Sequence, residues 1–307
     1  MRFLISRLSA LGDVVHTLPA AVALRRTFPD SEIVWCVDKR FAGIVELCGA
    51  VDRAVVWPKD MPERKAVLAD LGEFDFAFDL QGLLKSALLV ASVKAGRKLG
   101  YHWRREFAWL FTQSVRPDPS SLHVSDQYVD VVRAVGAEAD RAEFMLSPNP
   151  DDVTKVSSLV SGEGPLVICN AGAGWASKRW PAGHFASLAN TLHAQGARVG
   201  FIGAPSDEAV FAEVVAAGAS NVINLVGKTS VRELVALISL ADAHVGGDTG
   251  SSHISAALGK PAIGLYSVTR PERTCPYGQR HNTLYAPEGL HAITPEQVLD
   301  KLSQNGL

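Results

Sequence analysis

The sequence is poor in the residues that would assign it to several large classes of protein. Its 307 residues include only four cysteines, which form no CxxC pair, so we expect buried, reduced thiols and no disulfide framework or zinc site. The formal net charge of −2 argues against a general nucleic-acid binder. No apolar run approaches the roughly 18 residues of a membrane span, and Arg7 and Asp13 interrupt the apolar N-terminus as no signal peptide would. These absences predict a cytoplasmic globular protein.

What is present is a repeated alternation of short apolar runs and helical patterns. Runs such as "RFLIS", "EIVWCV" and "FDFAFDL" are typical of buried parallel strands, and the pattern starts again at "GPLVICN". After the first strand, "VVHTLPAAVALRRTF" predicts a helix kinked or broken near Pro19. Residues 146–165, rich in Pro, Gly and Ser, predict a linker. The sequence therefore predicts two doubly wound α/β domains, residues 1–150 and 151–307, with ligands at the carboxyl ends of the strands.

The first turn between strand and helix, "SALGD", contains a candidate site. Gly12 would let a ligand approach the backbone closely, and Asp13 stands at the start of the following helix. Capping that helix is the common role of such an acid. The alternative is a general base, because a helix N-terminus favours the ionised carboxylate. Spacing alone leaves both roles open.

A second turn, "NAGAGWASKRWP", has the composition of a phosphate-binding loop. The amides around Gly172 and Gly174 could hold a phosphate, with positive charge from Lys178 and Arg179. An exposed basic turn is the alternative. The loop lacks the third glycine of the dinucleotide fingerprint, so we do not expect a nicotinamide dehydrogenase.

The most specific turn is "GGDTGSSHISAALGKP". Asp248, Thr249 and Gly250 follow a predicted strand and open a helix, an arrangement that favours anion binding. His253 lies one turn into this helix and can donate to a phosphate oxygen. A buried structural histidine is the alternative.

A basic segment lies in the first half of the chain. Residues 85–105 contain six lysines or arginines and no acid, and "GYHWRREFAWLF" places aromatic residues between cations. A solvated charged face is the usual explanation of such a run. Aromatic residues between cations favour an anionic lipid surface or acceptor.

Three segments in this order, "ISRLSALGDVVHTLPA", "DLQGLLKSAL" and "GGDTGSSHISAALGKPAIGLYSVTRPERTCPYG", resemble the ADP-heptose:lipopolysaccharide heptosyltransferases. Within that family the chain is most similar to heptosyltransferase I, which adds the first heptose to Kdo. The resemblance implies a GT-B fold, in which two Rossmann-like domains face a cleft. The acceptor would bind the N-terminal domain and the sugar nucleotide the C-terminal one. The last helix would pack back on the N-terminal domain.

The resemblance also implies an activity. The expected enzyme is an inverting glycosyltransferase, without metal or cofactor, that moves L-glycero-D-manno-heptose from ADP-heptose to Kdo2-lipid A. Because that acceptor is an anionic glycolipid, we expect peripheral association with the cytoplasmic face of the inner membrane, and no nucleic-acid partner.

The resemblance assigns residues to this activity. Asp13 matches the general base, and His16 has either an assisting or a structural role. Asp207 stands where the family often has a glutamate that contacts the ribose. The expected donor-binding residues are Gly172, Gly174, Lys178, Asp207, Asp248, Thr249, Gly250 and His253. The expected acceptor-binding residues are Gly12, Arg64, Gln81, Lys85 and Lys98.

Three other functions stay open. A member of the same family could add a later heptose or another sugar. A sugar-nucleotide epimerase could share the fold, although a soluble substrate needs neither the Asp13 turn nor the cationic aromatic segment. A nucleotide-sensing protein could bind without chemistry.

Overall fold

The computed structural model describes residues 1–172, 175 and 178–307. They form two compact units, Met1–Ser147 and Pro148–Leu307, each built around a six-stranded sheet in which all the pairings between neighbouring strands are parallel. The two units are called the first and the second domain below.

The first domain alternates strands and helices. Its strands are β1 (Arg2–Ser6), β2 (Glu32–Val37), β3 (Arg53–Val56), β4 (Glu73–Asp79), β5 (Lys94–Tyr101) and β6 (Gln113–Val115). Its α-helices are α1 (Leu11–Thr27), α2 (Ala42–Glu46), α3 (Met61–Leu71), α4 (Leu84–Ser92) and α5 (Val124–Arg133). The strand order is β3-β2-β1-β4-β5-β6.

The second domain repeats this plan. Its strands are β7 (Leu166–Asn170), β8 (Arg198–Ile202), β9 (Val222–Asn224), β10 (Ala243–Gly247), β11 (Ala262–Tyr266) and β12 (Thr283–Tyr285). Its described α-helices are α6 (Pro150–Ser157), α7 (Ala182–Ala194), α8 (Glu208–Ala216), α9 (Val231–Leu240), α10 (Gly250–Ala257), α11 (Pro271–Thr274) and α12 (Pro295–Gln304). The strand order is β12-β11-β10-β7-β8-β9.

Both sheets have the same order when each is numbered from its own first strand, 3-2-1-4-5-6. This is the Rossmann order, and it confirms the predicted fold class of two doubly wound α/β domains. The order reverses between β1 and β4 in the first sheet and between β7 and β10 in the second. Ligands of such sheets bind outside the carboxyl ends of the strands at that reversal.

The central strands are buried because helices cover both faces of each sheet. Leu4 pairs with Val34 on one side and Ala77 on the other, and all three are completely buried. The last helix, α12, buries Val298 and Leu302 in the core of the second domain. Its expected packing on the first domain stays a prediction.

Two expectations about local structure are wrong in part, because α1 is unbroken near Pro19 and the expected linker contains a helix. Helix α1 continues through Pro19, in a run of eleven buried residues. A proline inside a helix costs about 3 kcal/mol, and the burial of this run offsets that cost. The expected linker, residues 146–165, contains α6, which Asn149 caps by accepting a hydrogen bond from the Asp151 amide. Arg232 at the start of α9 donates to Asp152 of α6 over 3.0 Å, so α6 belongs to the second domain. The division between the two units, after Ser147, falls within the expected linker.

The four cysteines are free and buried, as expected. Among the described residues, no helix combines the length and the apolar character needed to cross a bilayer.

Candidate active site

Asp13 lies in the first domain, just after the carboxyl end of β1. It is the third residue of α1, and Ala10 is the N-cap. The Asp13 Oδ2 atom accepts from the Ala10 amide over 3.3 Å and from Arg7 Nη2 over 2.8 Å. Asp13 therefore serves the N-cap amide from the third helical position. Its side chain is 50% exposed, so it can meet a ligand.

Arg7 is a buried residue that sequence reasoning did not assign to the site. Its Nη1 atom donates to the Leu80 carbonyl over 2.6 Å and to Tyr128 Oη over 3.0 Å. These contacts fix the guanidinium, and the guanidinium in turn orients the Asp13 carboxylate. A cation directly after a buried strand was the available signal.

Gln81, in the turn after β4, and Lys85, at the start of α4, both reach the loop that precedes α1. Gln81 Oε1 accepts from the Leu8 amide over 2.9 Å, and Gln81 Nε2 donates to Ser9 Oγ over 3.2 Å. Lys85 Nζ donates to the same Ser9 oxygen over 3.1 Å. The structure thus brings two expected acceptor residues to the loop that leads through Gly12 into Asp13.

Asp79 fixes the turn after β4, and the sequence analysis did not assign it to the site. Its Oδ1 atom accepts from the amides of Gln81 and Gly82 over 3.1 and 3.0 Å. Burial raises the pKa of Asp79 although these hydrogen bonds oppose the shift. The acid at the end of the buried run "FDFAFDL" was the signal.

A cleft of about 650 Å³ opens between α3 and α4 of the first domain. Leucines from both helices line it, together with the cations Arg64, Lys65 and Lys85. A smaller pocket of about 110 Å³ shares Arg64 and Lys85 and extends to Leu8. The expected acceptor residue Arg64 therefore lies beside Lys85.

The middle of the basic segment, with three of its six cations, forms strand β5, which the sequence did not predict. Lys94 pairs with Glu73 over 3.1 Å, and Arg104 Nη1 donates to the Thr112 carbonyl over 2.7 Å. Lys98 donates to the Ala91 carbonyl in the last turn of α4 over 2.7 Å, and burial lowers its pKa. The segment is therefore no single charged face, and the acceptor role of Lys98 stays a prediction.

His16 lies inside the first domain. Its Nδ1 atom is 3.1 Å from Ser125 Oγ, and its ring centroid is 5.1 Å from that of His123. Since the side chain is buried, the structure favours its structural role.

In the second domain, Asp248 holds two cationic or proton-donating side chains together. Lys178 Nζ donates to Asp248 Oδ2 over 3.0 Å, and His253 Nε2 lies 3.3 Å from Asp248 Oδ1. Burial alone would raise the pKa of Asp248, but His253 and Lys178 outweigh it and lower the pKa to about 2. The carboxylate is therefore ionised throughout the neutral range and positions both partners.

Thr249 occupies the N-cap position of α10, whose first residue is Gly250, and its hydroxyl makes no cap hydrogen bond. The Thr249 hydroxyl oxygen lies 3.0 Å from Ser251 Oγ, and Asn170 Nδ2 donates to Ser251 Oγ over 2.9 Å. His244 Nε2 lies 3.0 Å from the same serine oxygen. Burial, the larger cause, and the neighbouring His253, the smaller one, lower the pKa of His244 to about 3. The His244 imidazole is therefore neutral where it contacts the Ser251 hydroxyl, which in turn lies beside that of Thr249.

Asn170, Ser251 and His244 were missed by sequence reasoning. Asn170 and Ser251 lie within the two stretches that the sequence did single out. The only signal for His244 was its position inside a strand, which does not distinguish a core residue from a supporting one.

Gly172 and Asp207 come together at the ends of β7 and β8. A Cβ atom on Gly172 would lie 2.6 Å from the carboxyl carbon of Asp207, so only glycine leaves room for this carboxylate. Asp207 Oδ2 also accepts from the Ala204 amide over 2.9 Å. Gly174 lies outside the described residues.

In the described part of the chain, no three His, Cys, Asp or Glu side chains are grouped so as to hold a metal ion. The expected independence of metal and cofactor stays a prediction.

Comparison with known proteins identifies the family. Residues 66–301 match glycosyltransferase family 9 (heptosyltransferase). The chain belongs to this family. It is 30% identical over 325 residues to lipopolysaccharide heptosyltransferase 1 of Escherichia coli K12, with 99% of both chains covered. It is 28% identical to the lipopolysaccharide core heptosyltransferase OpsX of Haemophilus influenzae, covering 91% of this chain and 83% of that protein.

Solved structures agree with this result. E. coli heptosyltransferase WaaC with ADP superposes with a TM-score of 0.81 at 26% identity, covering both chains completely. This family 9 glycosyltransferase therefore has the predicted GT-B fold. A UDP-GlcNAc 2-epimerase from Methanocaldococcus jannaschii has a TM-score of 0.58 at 12% identity over 99% of this chain and 92% of its own, and that likeness concerns the fold alone.

Proposed function

We propose that this family 9 glycosyltransferase transfers L-glycero-D-manno-heptose from ADP-heptose to Kdo of Kdo2-lipid A, with inversion and without a metal. The observation that carries the proposal is the similarity, over 99% of both chains, to lipopolysaccharide heptosyltransferase 1. A solved E. coli WaaC structure that contains ADP-2-deoxy-2-fluoro heptose, 28% identical to this chain, supports the donor. Adding a later heptose is the alternative within the family.

The donor binds the second domain in this proposal. Lys178 neutralises the diphosphate, and the amides at the start of α10 with the Thr249 hydroxyl donate to its oxygens. Asp248 keeps Lys178 and His253 at this turn, as their contacts of 3.0 and 3.3 Å indicate. The bare backbone of Gly172 and the Asp207 carboxylate beside it are suited to the adenosine ribose.

The acceptor binds the first domain. The anionic carboxylates and phosphates of Kdo2-lipid A meet Arg64 and Lys85, whose side chains line neighbouring pockets, with Gln81 beside the Ser9 loop. Gly12 leaves space for the acceptor sugar next to Asp13. An anionic lipid-linked acceptor also places the protein at the cytoplasmic face of the inner membrane.

Asp13 is the general base. The Arg7 guanidinium and the Ala10 amide both contact the Asp13 carboxylate at Oδ2, so we assign the proton transfer to Oδ1. As that oxygen takes the proton of the acceptor hydroxyl, the hydroxyl oxygen attacks C1 of the heptose. The bond between C1 and the phosphate oxygen breaks on the opposite face, ADP leaves with the electron pair, and the configuration at C1 inverts.

In the decisive experiment, the purified protein is incubated with ADP-heptose and Kdo2-lipid A in the presence of EDTA. The mass of the product is then measured by mass spectrometry. The expected result is a gain of one heptose, which Asp13→Asn abolishes. A parallel reaction with heptosyl-Kdo2-lipid A as acceptor separates the alternative. Turnover only of that acceptor would assign the chain to a later heptose, and ADP binding without any transfer would overturn the proposal.

A further inference from the structure

The first domain exposes large apolar side chains in one short stretch. Residues 105–110, which we call the aromatic turn, follow β5 and include the 3₁₀ helix Ala108–Leu110. Phe107, Trp109 and Leu110 are 67%, 57% and 59% exposed. Three such side chains within four residues form a patch of the kind that marks an interaction surface.

The aromatic turn is firmly attached to the domain at its base. Ala108 is completely buried, and the Arg105 amide donates to the Gly82 carbonyl over 2.8 Å. Glu106 Oε2 accepts from the Leu84 amide at the start of α4 over 3.3 Å. The apolar side chains are therefore presented on a fixed base and do not belong to a loose loop.

The backbone of the turn is in a conformation that residues other than glycine rarely adopt. Glu106 and Phe107 have φ values of 54° and 61°, in the left-handed region. Such residues cost free energy and are found mostly at functional sites. Gly82 permits the arrangement, because a Cβ atom there would lie 2.3 Å from the Trp103 carbonyl oxygen.

The surroundings of the turn are cationic. Arg105 within the turn is exposed, and Glu106 is already held by the Leu84 amide. Glu106 also lines the cleft that contains Arg64, Lys65 and Lys85, beside the exposed Leu84 and Leu88 of α4. Apolar side chains beside lysines and arginines match the headgroup region of an anionic bilayer, where Trp is enriched.

We infer that the aromatic turn is a membrane-docking surface that inserts Phe107, Trp109 and Leu110 among anionic lipids and holds the α3–α4 cleft at the bilayer. The link to the cleft rests on the proposed function, because a lipid-anchored acceptor presents its sugars at that surface. The docking itself needs only the side chains of the first domain. Arg105 adds the electrostatic part of the attraction.

The test measures sedimentation of the full chain with vesicles of phosphatidylglycerol and phosphatidylethanolamine. The double variant Phe107→Ser/Trp109→Ser is expected to lower the partition coefficient at least about 10-fold, since both side chains lose their apolar burial among the lipids. Arg105→Gln should lower it about fivefold, from about 1 kcal/mol per cation near an anionic surface. Vesicles of phosphatidylcholine alone should bind the wild type more weakly.

Trp175→Ser is the matched control, because Trp175 is an exposed aromatic of the second domain. Its vesicle binding should equal that of the wild type. Failure of the wild type to bind anionic vesicles would overturn the inference and would point to a protein partner for the patch. Equal binding by the double variant and the control would overturn it as well.

A water-soluble, deacylated acceptor separates this inference from the proposed function. The double variant should turn over that acceptor within about twofold of the wild type while losing vesicle binding. Loss of turnover on the soluble acceptor would assign the turn to acceptor recognition and overturn the docking role. Vesicle binding by a wild type without transferase activity would leave the docking surface standing and remove the proposed function. Unchanged thermal unfolding of the double variant provides the folding control.

Discussion

Asp13 follows β1 and Asp248 follows β10, the two sides of the reversal in their sheets, and the two acids have opposite surroundings. Each follows the carboxyl end of a central parallel strand and lies near the start of a helix. The Asp13 side chain is 50% exposed, and the structure records its contacts on one oxygen. The Asp248 side chain is 17% exposed and holds a partner on each oxygen.

This difference separates two uses of a carboxylate. An acid whose two oxygens each hold a cationic or donating partner is a positioning group, because taking up a proton would release both. An exposed acid with contacts on a single oxygen keeps the other for a ligand. The same fold can therefore supply a base in one domain and an electrostatic anchor in the other.

The strongest test of this comparison exchanges each acid for its amide. Asp13→Asn should lower kcat by about 10²- to 10⁴-fold, the usual contribution of a general base, and leave the Kd for ADP unchanged. Asp248→Asn should instead raise the Kd for ADP about 10- to 100-fold, because loss of a hydrogen bond to a charged group costs about 1.5–3 kcal/mol. Calorimetry and steady-state kinetics on both variants check this. Equal effects on kcat and on the Kd for ADP in the two variants would contradict the assignment of different roles to Asp13 and Asp248.

A second test sharpens the description of the first domain. Lys85→Met should raise the KM for Kdo2-lipid A by about 10-fold, since a cation that meets an anionic acceptor contributes on the order of 1.5 kcal/mol. Lys98→Met should leave that KM within about twofold, because the Lys98 amine is held by the Ala91 carbonyl. A larger effect for Lys98 than for Lys85 would support the expected acceptor role of Lys98.

The smallest expected effect concerns stability in acid. In the second domain, Lys155 and the Ser230 amide lower the pKa of Glu233 to about 2. A lowered folded-state pKa stabilises the protein above the unfolded pKa, and this stabilisation is lost as the pH falls from about 4.5 to about 2. Glu233→Gln should therefore cost about 0.5–1 kcal/mol at pH 7, because Lys155 is largely exposed. Urea unfolding should show this difference narrowing below about pH 4.5.

Asp79 of the first domain shows the opposite shift to Glu233 of the second domain, because burial raises the pKa of Asp79. A raised pKa means that the ionised carboxylate opposes folding, and that this penalty disappears as the pH falls. Asp79→Asn keeps the Oδ1 acceptor for Gln81 and Gly82, so it should be at least as stable as the wild type at pH 7. A loss of stability in Asp79→Asn greater than that in Glu233→Gln would contradict this assignment.

Much of the fold could be predicted from the apolar residues alone. Continuous apolar runs predicted the central strands because strands covered on both faces need no polar alternation. Strand β5 escaped prediction because its first half is exposed, with lysines, glycine and arginine, so the segment had the composition of a charged surface. The break expected near Pro19 is absent, because the burial that keeps α1 continuous involves residues distant in sequence.

By itself the sequence determined the two-domain α/β plan, the turns at which chemistry is expected and the family to which the chain belongs. Only the tertiary structure decided the partners at those turns. Arg7 reaches Asp13, Lys178 reaches Asp248 across 70 residues of chain, and His244 supports Ser251 from inside the sheet. These pairings depend on where the strands and helices pack, because a hydrogen bond requires an approach within about 3 Å that local sequence does not encode.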